Sequence, residues 1–289
     1  MSRVLLVAHR ERAEVSALVR EAAGWLAARG HDAWMTPEDA AALGLPNLVG
    51  EQSPATADLL VSLGGDGTML RAVQMLDGAQ VPIIGVNVGL LGYLTEVEPH
   101  ALTSALERFM AGPGADAGDW ALEHRMMVDV MLRRDDDGST EVWRALNEGV
   151  LEKQDPGHTV RLLVRIDGEV FTSYAADGLI VSTPTGSTAY SLSARGPVVS
   201  PRHRALLLTP VSPHMLFDRS LVLDPDESVE VEVMGHRPVV LSVDGRRTAS
   251  LVERDTVTFR ACDQGACFVR FGRRRFHQIL KTKFGLADR

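Results

Sequence analysis

The stretch Leu59-Leu60-Val61-Ser62-Leu63-Gly64-Gly65-Asp66-Gly67-Thr68 runs a short apolar segment straight into three glycines around one acidic residue. Leu59 to Leu63 reads as a buried strand, Met69 to Leu76 has helical spacing, and Val81 to Val88 is apolar again. Strand, loop, helix and strand in that order make a βαβ unit, the building block of a parallel sheet covered by helices. Toward the N-terminus, Val4 to Ala8 is another buried-strand run and Glu11 to Arg29 alternates like a helix. Gly30 stands where that helix should stop. A further helix is expected over Pro99 to Met110. The first third, residues 1–120, is therefore expected to be a doubly wound, mostly parallel α/β domain.

Ala111 to Gly118 has the glycine-rich composition of a linker, and the pattern changes beyond it. Val160 to Ile166, Asp167-Gly168 and Val170 to Tyr174 read as a hairpin. Val229 to Val233 alternates strictly, and Val239 to Val243, Asp244-Gly245 and Thr248 to Val252 form a second hairpin signal. Residues 121–270 are expected to be a mainly antiparallel β-sandwich. Arg273 to Leu286 looks helical, so 271–289 is expected to return to the first domain as a C-terminal helix.

Composition excludes several classes. Among 289 residues, 45% are hydrophobic, too many for a disordered chain. A formal net charge of -8 argues against a broadly basic nucleic-acid or membrane-binding surface, so an anionic substrate must be met by a local site. Cys262 and Cys267 match no common zinc spacing, and two thiols suit a reducing compartment. The start lacks a signal-peptide pattern, and the longest apolar stretch, Val81 to Thr95, carries Asn87 and falls short of a membrane span. A cytoplasmic protein is expected.

Three places carry chemistry. Glycines in Gly64-Gly65-Asp66-Gly67-Thr68 let the backbone approach a ligand, and the following helix start offers unpaired N–H groups to phosphate oxygens. A carboxylate beside phosphate repels it unless it takes a proton from a nucleophile or holds a metal ion. The alternative is an ordinary strand-to-helix turn with Asp66 as an N-cap. The second place is Asp177-Gly178-Leu179-Ile180-Val181-Ser182-Thr183-Pro184-Thr185-Gly186-Ser187-Thr188-Ala189-Tyr190-Ser191, with a helix expected from Ser187. Its hydroxyls and helix-start amides suit ribose and phosphate oxygens, or simply cap a turn. The third is Asn147-Glu148, an amide and a carboxylate interrupting a strand-like stretch. The pair could read a ribose diol or an adenine edge, or form a solvated bulge.

Taken together, these motifs resemble the NAD kinase family over nearly the whole chain. The resemblance extends through Asn87-Val-Gly-Leu-Leu-Gly-Tyr-Leu-Thr95, Leu208-Thr-Pro-Val-Ser-Pro-His214, Val243-Asp244-Gly245 and Phe276 to Gly285, whose wording looks most like actinobacterial members. Diacylglycerol kinases, sphingosine kinases and phosphofructokinases share GGDGT, whereas TPTGSTAYSLS is far more specific to NAD kinases. The rivals are a lipid kinase and a non-catalytic NAD-binding sensor. The resemblance implies an ATP- or polyphosphate-dependent transfer to the 2′-hydroxyl of the adenosine ribose of NAD, with a divalent metal such as Mg²⁺ and with NAD enclosed between two domains. Asp66 would be the catalytic group and Gly64, Gly65, Gly67 and Thr68 the phosphate-binding loop. NAD would be held by Asp66, Gly67, Arg71, Asn147, Glu148, His158, Asp177 and Thr188-Ala189-Tyr190-Ser191-Leu192-Ser193. His158 reads equally well as a surface histidine. The family's dimers or tetramers imply a homo-oligomer, with Asp177 often serving a neighbouring subunit. Two departures stand out. Arg195 replaces a usual glycine, either as an extra phosphate contact or, the reading slightly favoured, because its turn needs no glycine dihedrals, and Ala175-Ala176 leaves the choice of NAD or NADH open.

Overall fold

Val4 to Ala8 and Leu59 to Leu63 are fully buried runs in the computed structural model, which describes residues 1–113, 119–272 and 276–286. Strands covered on both faces need continuous apolar sequence, and this is the pattern of a parallel sheet. Strands β1 (Arg3–Ala8), β2 (Asp32–Trp34), β3 (Leu59–Gly64) and β4 (Ile83–Asn87) pair in parallel. The last strand of the chain, β18 (Ala266–Arg270), joins β4 in parallel, and β5 (Ala121–Arg125) closes the order β2-β1-β3-β4-β18-β5. Helices α1 (Ala13–Ala27), α2 (Pro37–Leu43), α3 (Asp66–Leu76) and α4 (Leu102–Met110) connect the strands. One core packs Val15, Val19 and Leu26 of α1 and Leu102 and Leu106 of α4 with Val4, Leu6, Val61, Leu63, Ile84 and Val86 of the sheet.

The chain divides into two units, Met1–His124 with Ala266–Arg289, and Arg125–Gly265. The second unit holds β6 (Val128–Arg133), β7 (Thr140–Ala145), β8 (Glu148–Lys153), β9 (Val160–Ile166), β10 (Glu169–Ala176) and β11 (Gly178–Ser182). It continues with the short helix α5 (Tyr190–Ser193), β12 (Leu206–Val211), β13 (Leu221–Leu223), β14 (Val229–Met234), β15 (Val239–Val243), β16 (Arg246–Leu251) and β17 (Thr256–Ala261). These strands form two six-stranded sheets, β10-β9-β14-β17-β6-β7 and β13-β12-β11-β8-β15-β16. Val130, Leu162, Val164, Val231 and Phe259 of one sheet pack with Leu151, Leu179, Val181, Leu208 and Leu241 of the other, which makes the expected sandwich. Both Asp-Gly hairpins form, with Asp167 and Gly168 at φ 50° and 82° and Asp244 and Gly245 at φ 46° and 76°. Positive φ at both central residues matches the right-handed twist of the flanking strands.

Several local expectations need correction. Helix α3 begins at Asp66, not Met69: Gly64 ends β3, Gly65 is the N-cap, and Gly67 and Thr68 are already in the first turn. No helix grows from Ser187. A 3₁₀ turn, Gly186–Thr188, is followed by the one-turn α5. Ser187 Oγ bonds to Pro184 C=O at 2.7 Å and Thr188 Oγ1 to Thr185 C=O at 3.2 Å, a local bonding that competes with helix propagation. Arg195 does occupy a glycine conformation, φ 65°, contrary to the expectation that its turn needs no such dihedral. Most of the linker candidate, residues 114–118, and residues 273–275 of the helical tail lie outside the described residues. The tail helix is α6 (Phe276–Lys283). Among the described residues no helix is long and apolar enough to cross a membrane.

Candidate active site

In the first unit Asp66 does not cap a helix. Gly65 is the N-cap of α3, with an extended backbone and no side-chain cap, and Asp66 is the first helical residue. Its carboxylate turns to the segment after β4, where Oδ2 accepts from Tyr93 N–H at 2.8 Å and Oδ1 from Leu94 N–H at 2.9 Å. Each oxygen keeps lone-pair capacity for another partner. Gly92 makes this close approach possible, since a Cβ there would overlap the Asp66 carboxylate. Burial and the Asp66 charge push the Tyr93 phenol above its usual range.

The glycines of the loop divide by role. A side chain at Gly64 would collide with the buried Thr68, and Gly64 C=O accepts from Val88 N–H at 3.0 Å. Gly65 and Gly67 face open space, with nothing within 4 Å of the place a Cβ would take and no positive φ. The fold itself therefore makes no demand for glycine at 65 or 67. Arg71 is committed within the unit. Its guanidinium donates to the buried Asp39 carboxylate and to Ala8 C=O, and Asp39 also accepts from Arg10 Nε at 2.7 Å.

In the second unit Asn147 and Glu148 lie where β7 ends and β8 begins, and one carboxylate organises them. Asp244, in the turn after β15, accepts from Leu146 N–H at 2.9 Å, Asn147 N–H at 2.8 Å and Glu148 N–H at 3.2 Å. The hydroxyl-rich block joins the same knot. Thr183 N–H donates to Asn147 C=O at 2.8 Å and Thr183 Oγ1 to Leu146 C=O at 2.6 Å. Any side chain at Gly186 would strike the Asn147 carbonyl. The structure thus brings together two motifs some forty residues apart.

Glu148 is 6% exposed, and among the described residues its Oε2 has no hydrogen-bond partner. Ser182 lies directly opposite in the β8–β11 register, and its Oγ is likewise buried without a partner. Burial first, then the Asp244 charge, pushes the Glu148 carboxyl up to about 8 from 4.5, against an opposing hydrogen bond from Tyr190 N–H. A raised acid with an unpaired buried oxygen is a feature of sites that receive a polar ligand group.

The remaining candidates are more dispersed. Thr188 and Ala189 are half-buried, Tyr190 and Ser193 exposed, Leu192 half-buried, and Ser191 buried with its hydroxyl 3.2 Å from Thr209 Oγ1. Asp177 pairs with Lys153 at 2.6 Å. His158 is exposed and lines a cleft of about 310 Å³ with Lys153, Asp155, His236 and Arg237. Sequence reasoning misses the organising role of Asp244, although it finds the Asp-Gly turn that places it. The docking of Asp66 on Tyr93 and Leu94 has one readable sign, the glycine at 92.

Residues 4–113 match the family described as the ATP-NAD kinase N-terminal domain, and residues 146–271 the ATP-NAD kinase C-terminal domain. The chain is 45% identical over 227 residues to an NAD kinase of Heliobacterium modesticaldum, covering 78% of each chain. It is 41% identical over 246 residues to NAD kinase 2 of Streptomyces coelicolor, covering 83% of this chain and 78% of that one. The crystal structure of yeast NADH kinase complexed with NADH superposes with a TM-score of 0.90 at 27% identity, covering 100% of this chain and 89% of the other. By fold, motif and kinship, the chain belongs to the NAD kinase family.

Proposed function

We propose that this chain transfers the terminal phosphoryl group of ATP to the 2′-hydroxyl of the adenosine ribose of NAD, giving NADP, with Asp66 at the reacting centre. The observation that carries the reading is the fixed Asp66 carboxylate at the start of α3, held by two backbone N–H groups with lone pairs to spare. The 2′-oxygen bonds to the γ-phosphorus as the bond to ADP breaks, and its proton passes to, or is oriented by, Asp66. Gly65 and Gly67, which the fold does not require to be glycine, suit a phosphate brought against the backbone at the helix start. A divalent cation, in this reading Mg²⁺, would neutralise phosphate charge, with Asp66 the carboxylate available in the loop. Arg71 would act from its anchorage on Asp39.

Asn147, Glu148 and the residues Thr188 to Ser193 are the NAD-holding groups of this reading, with His158 and Asp177 as further contacts. Its support is the unpaired Glu148 oxygen and the shared hydrogen-bond knot. Glu148→Ala is expected to raise the NAD KM about 10-fold or more, the effect of losing one strong hydrogen bond. Unchanged NAD kinetics in the folded variant would remove the pair from the site. A pH effect accompanies it. The unfolded chain ionises Glu148 near 4.5 and the folded one near 8, so folded protein binds more protons between those values. Its contribution to stability is full below about 4.5 and is lost as pH rises through 8. Glu148→Gln, neutral throughout, should gain on wild type in denaturant melts between about pH 5 and about pH 9. A constant difference across that range would contradict the buried-acid account.

The same reading takes the working domains as residues 1–120, 121–270 and a returning helix in 271–289, although the compact units divide instead at His124/Arg125 and Gly265/Ala266, which puts β18 with the first unit. It places the enzyme in the cytoplasm as a homodimer or homotetramer. A monomeric mass by light scattering from fully active protein would contradict the assembly. The function itself is tested with labelled Mg-ATP, NAD and diacylglycerol in one incubation. Label is expected on NAD alone, and label on lipid without NADP would overturn the reading. Replacing ATP by polyphosphate in that incubation identifies the donor.

A further inference from the structure

We propose that Arg12 is a positioning residue for Asp66, acting through the loop Val88-Gly89-Leu90-Leu91-Gly92-Tyr93-Leu94; the inference rests on the catalytic role given to Asp66 above. Arg12 lies at the N-cap of α1, far from the glycine loop in sequence, and nothing in the motifs points to it. Its guanidinium donates to Val88 C=O at the entrance of the loop. At the exit, Tyr93 and Leu94 present the two N–H groups that hold Asp66.

The two glycines of the loop carry the argument. Gly89 sits at φ 118°, and the place of its missing Cβ is filled by the Arg12 guanidinium. Gly92 lacks a Cβ where the Asp66 carboxylate sits. One loop is therefore shaped at one end around a cation and at the other around the carboxylate. Between them Leu90 is 93% exposed, so its side chain does little to fix the loop in place. The loop is also held by Val88 N–H on Gly64 C=O, by Asn87 Nδ2 on Gly89 C=O at 3.5 Å, by Lys283 over the Tyr93 ring and by Arg270 on Leu94 C=O at 3.0 Å. Arg270 is 8% exposed and bound to Glu123 and Glu96, so its loss would disturb the unit as a whole. Arg12 is more accessible, and besides its bond to the loop it makes a long contact to Glu14 at 3.8 Å. It can be removed with less damage to the fold.

The test is steady-state kinetics of NADP formation by Arg12→Ala, Arg12→Lys, Asp66→Asn and the double variant Arg12→Ala/Asp66→Asn, each with a thermal midpoint. Arg12→Ala is expected to lower kcat about 10-fold, the effect of losing a charged hydrogen bond, with KM for NAD and ATP nearly unchanged. Arg12→Lys keeps the charge and one donor for Val88 C=O, so its kcat should fall between wild type and alanine. The double variant should be no slower than Asp66→Asn alone, because a positioning residue has nothing left to position. Wild-type kcat in Arg12→Ala, an effect of either Arg12 variant carried by KM, or losses that multiply in the double variant would overturn the inference. The lysine variant keeps the test decisive should the alanine variant fail to fold. No NADP from wild type would defeat the functional reading itself. A wild type that Asp66→Asn disables and Arg12→Ala leaves intact defeats this inference alone.

Discussion

Asp66→Asn should lower kcat by about 10²–10⁴, the range for loss of a general base, while NAD affinity changes much less. The expectation is sharper for the observed geometry. An N-capping aspartate would exchange for asparagine almost without cost, since both cap helices well. Asp66 is not a cap, because that position belongs to Gly65. Both of its oxygens accept N–H groups, from Tyr93 and Leu94. Asparagine offers one oxygen and one NH₂, so one backbone donor would face another donor. The substitution thus removes the proton acceptor and loosens its seat. Kinetics at saturating NAD, ATP and Mg²⁺, with a melting curve on the same sample, provide the check. Near-normal turnover would take Asp66 out of the chemistry.

The second large effect is expected at Asp244. Its carboxylate, 8% exposed, gathers the N–H groups of Leu146, Asn147 and Glu148. Asp244→Ala leaves those donors without their acceptor, at about 1–3 kcal/mol for each buried one, so a loss of about 3 kcal/mol or more is expected. Asp244→Asn should cost less, because it keeps one acceptor oxygen and tolerates the positive φ of the turn. One change partly offsets the loss in both variants: the Glu148 carboxyl no longer feels the Asp244 charge and should ionise at lower pH. Denaturant unfolding and a pH titration of Glu148 read both consequences. An Asp244→Ala variant as stable as wild type would show that the three N–H groups find other partners.

How much of this is legible in the sequence depends on whether the signal is local. Leu59–Leu63 running into glycine, and Val229–Val233 alternating over buried and half-buried positions, each declare their strands within a few residues. The short β2 and α2 escape because three and seven residues are too few to establish a period, although Thr36-Pro37 ahead of α2 and Gly44 behind it are cap signals. The start of α3 is hidden for a different reason. Glycine is a poor helix former, and only the tertiary seat of Asp66 explains why the helix begins there.

The site is legible as a set of residues and illegible as a set of contacts. GGDGT, Asn147-Glu148 and the hydroxyl-rich block stand out as wording. That Asp66 docks on Tyr93 and Leu94, and that Asp244 fastens Asn147 and Glu148, are contacts across 27 and nearly 100 positions. No period or spacing rule reaches so far. The raised acidity range of Glu148 likewise follows from burial and from Asp244, neither of which adjoins it in sequence.

The central claim is that this chain moves a phosphoryl group onto the ribose 2′-oxygen of NAD with Asp66 at the reacting centre. The most direct measurement incubates purified wild type and Asp66→Asn with Mg-ATP and NAD and reads the product with a dehydrogenase that accepts only NADP. Steady NADP formation by wild type, and a rate at least about 10²-fold lower for the folded asparagine variant, is the predicted result. No NADP from wild type, or equal rates from the two proteins, would contradict the account.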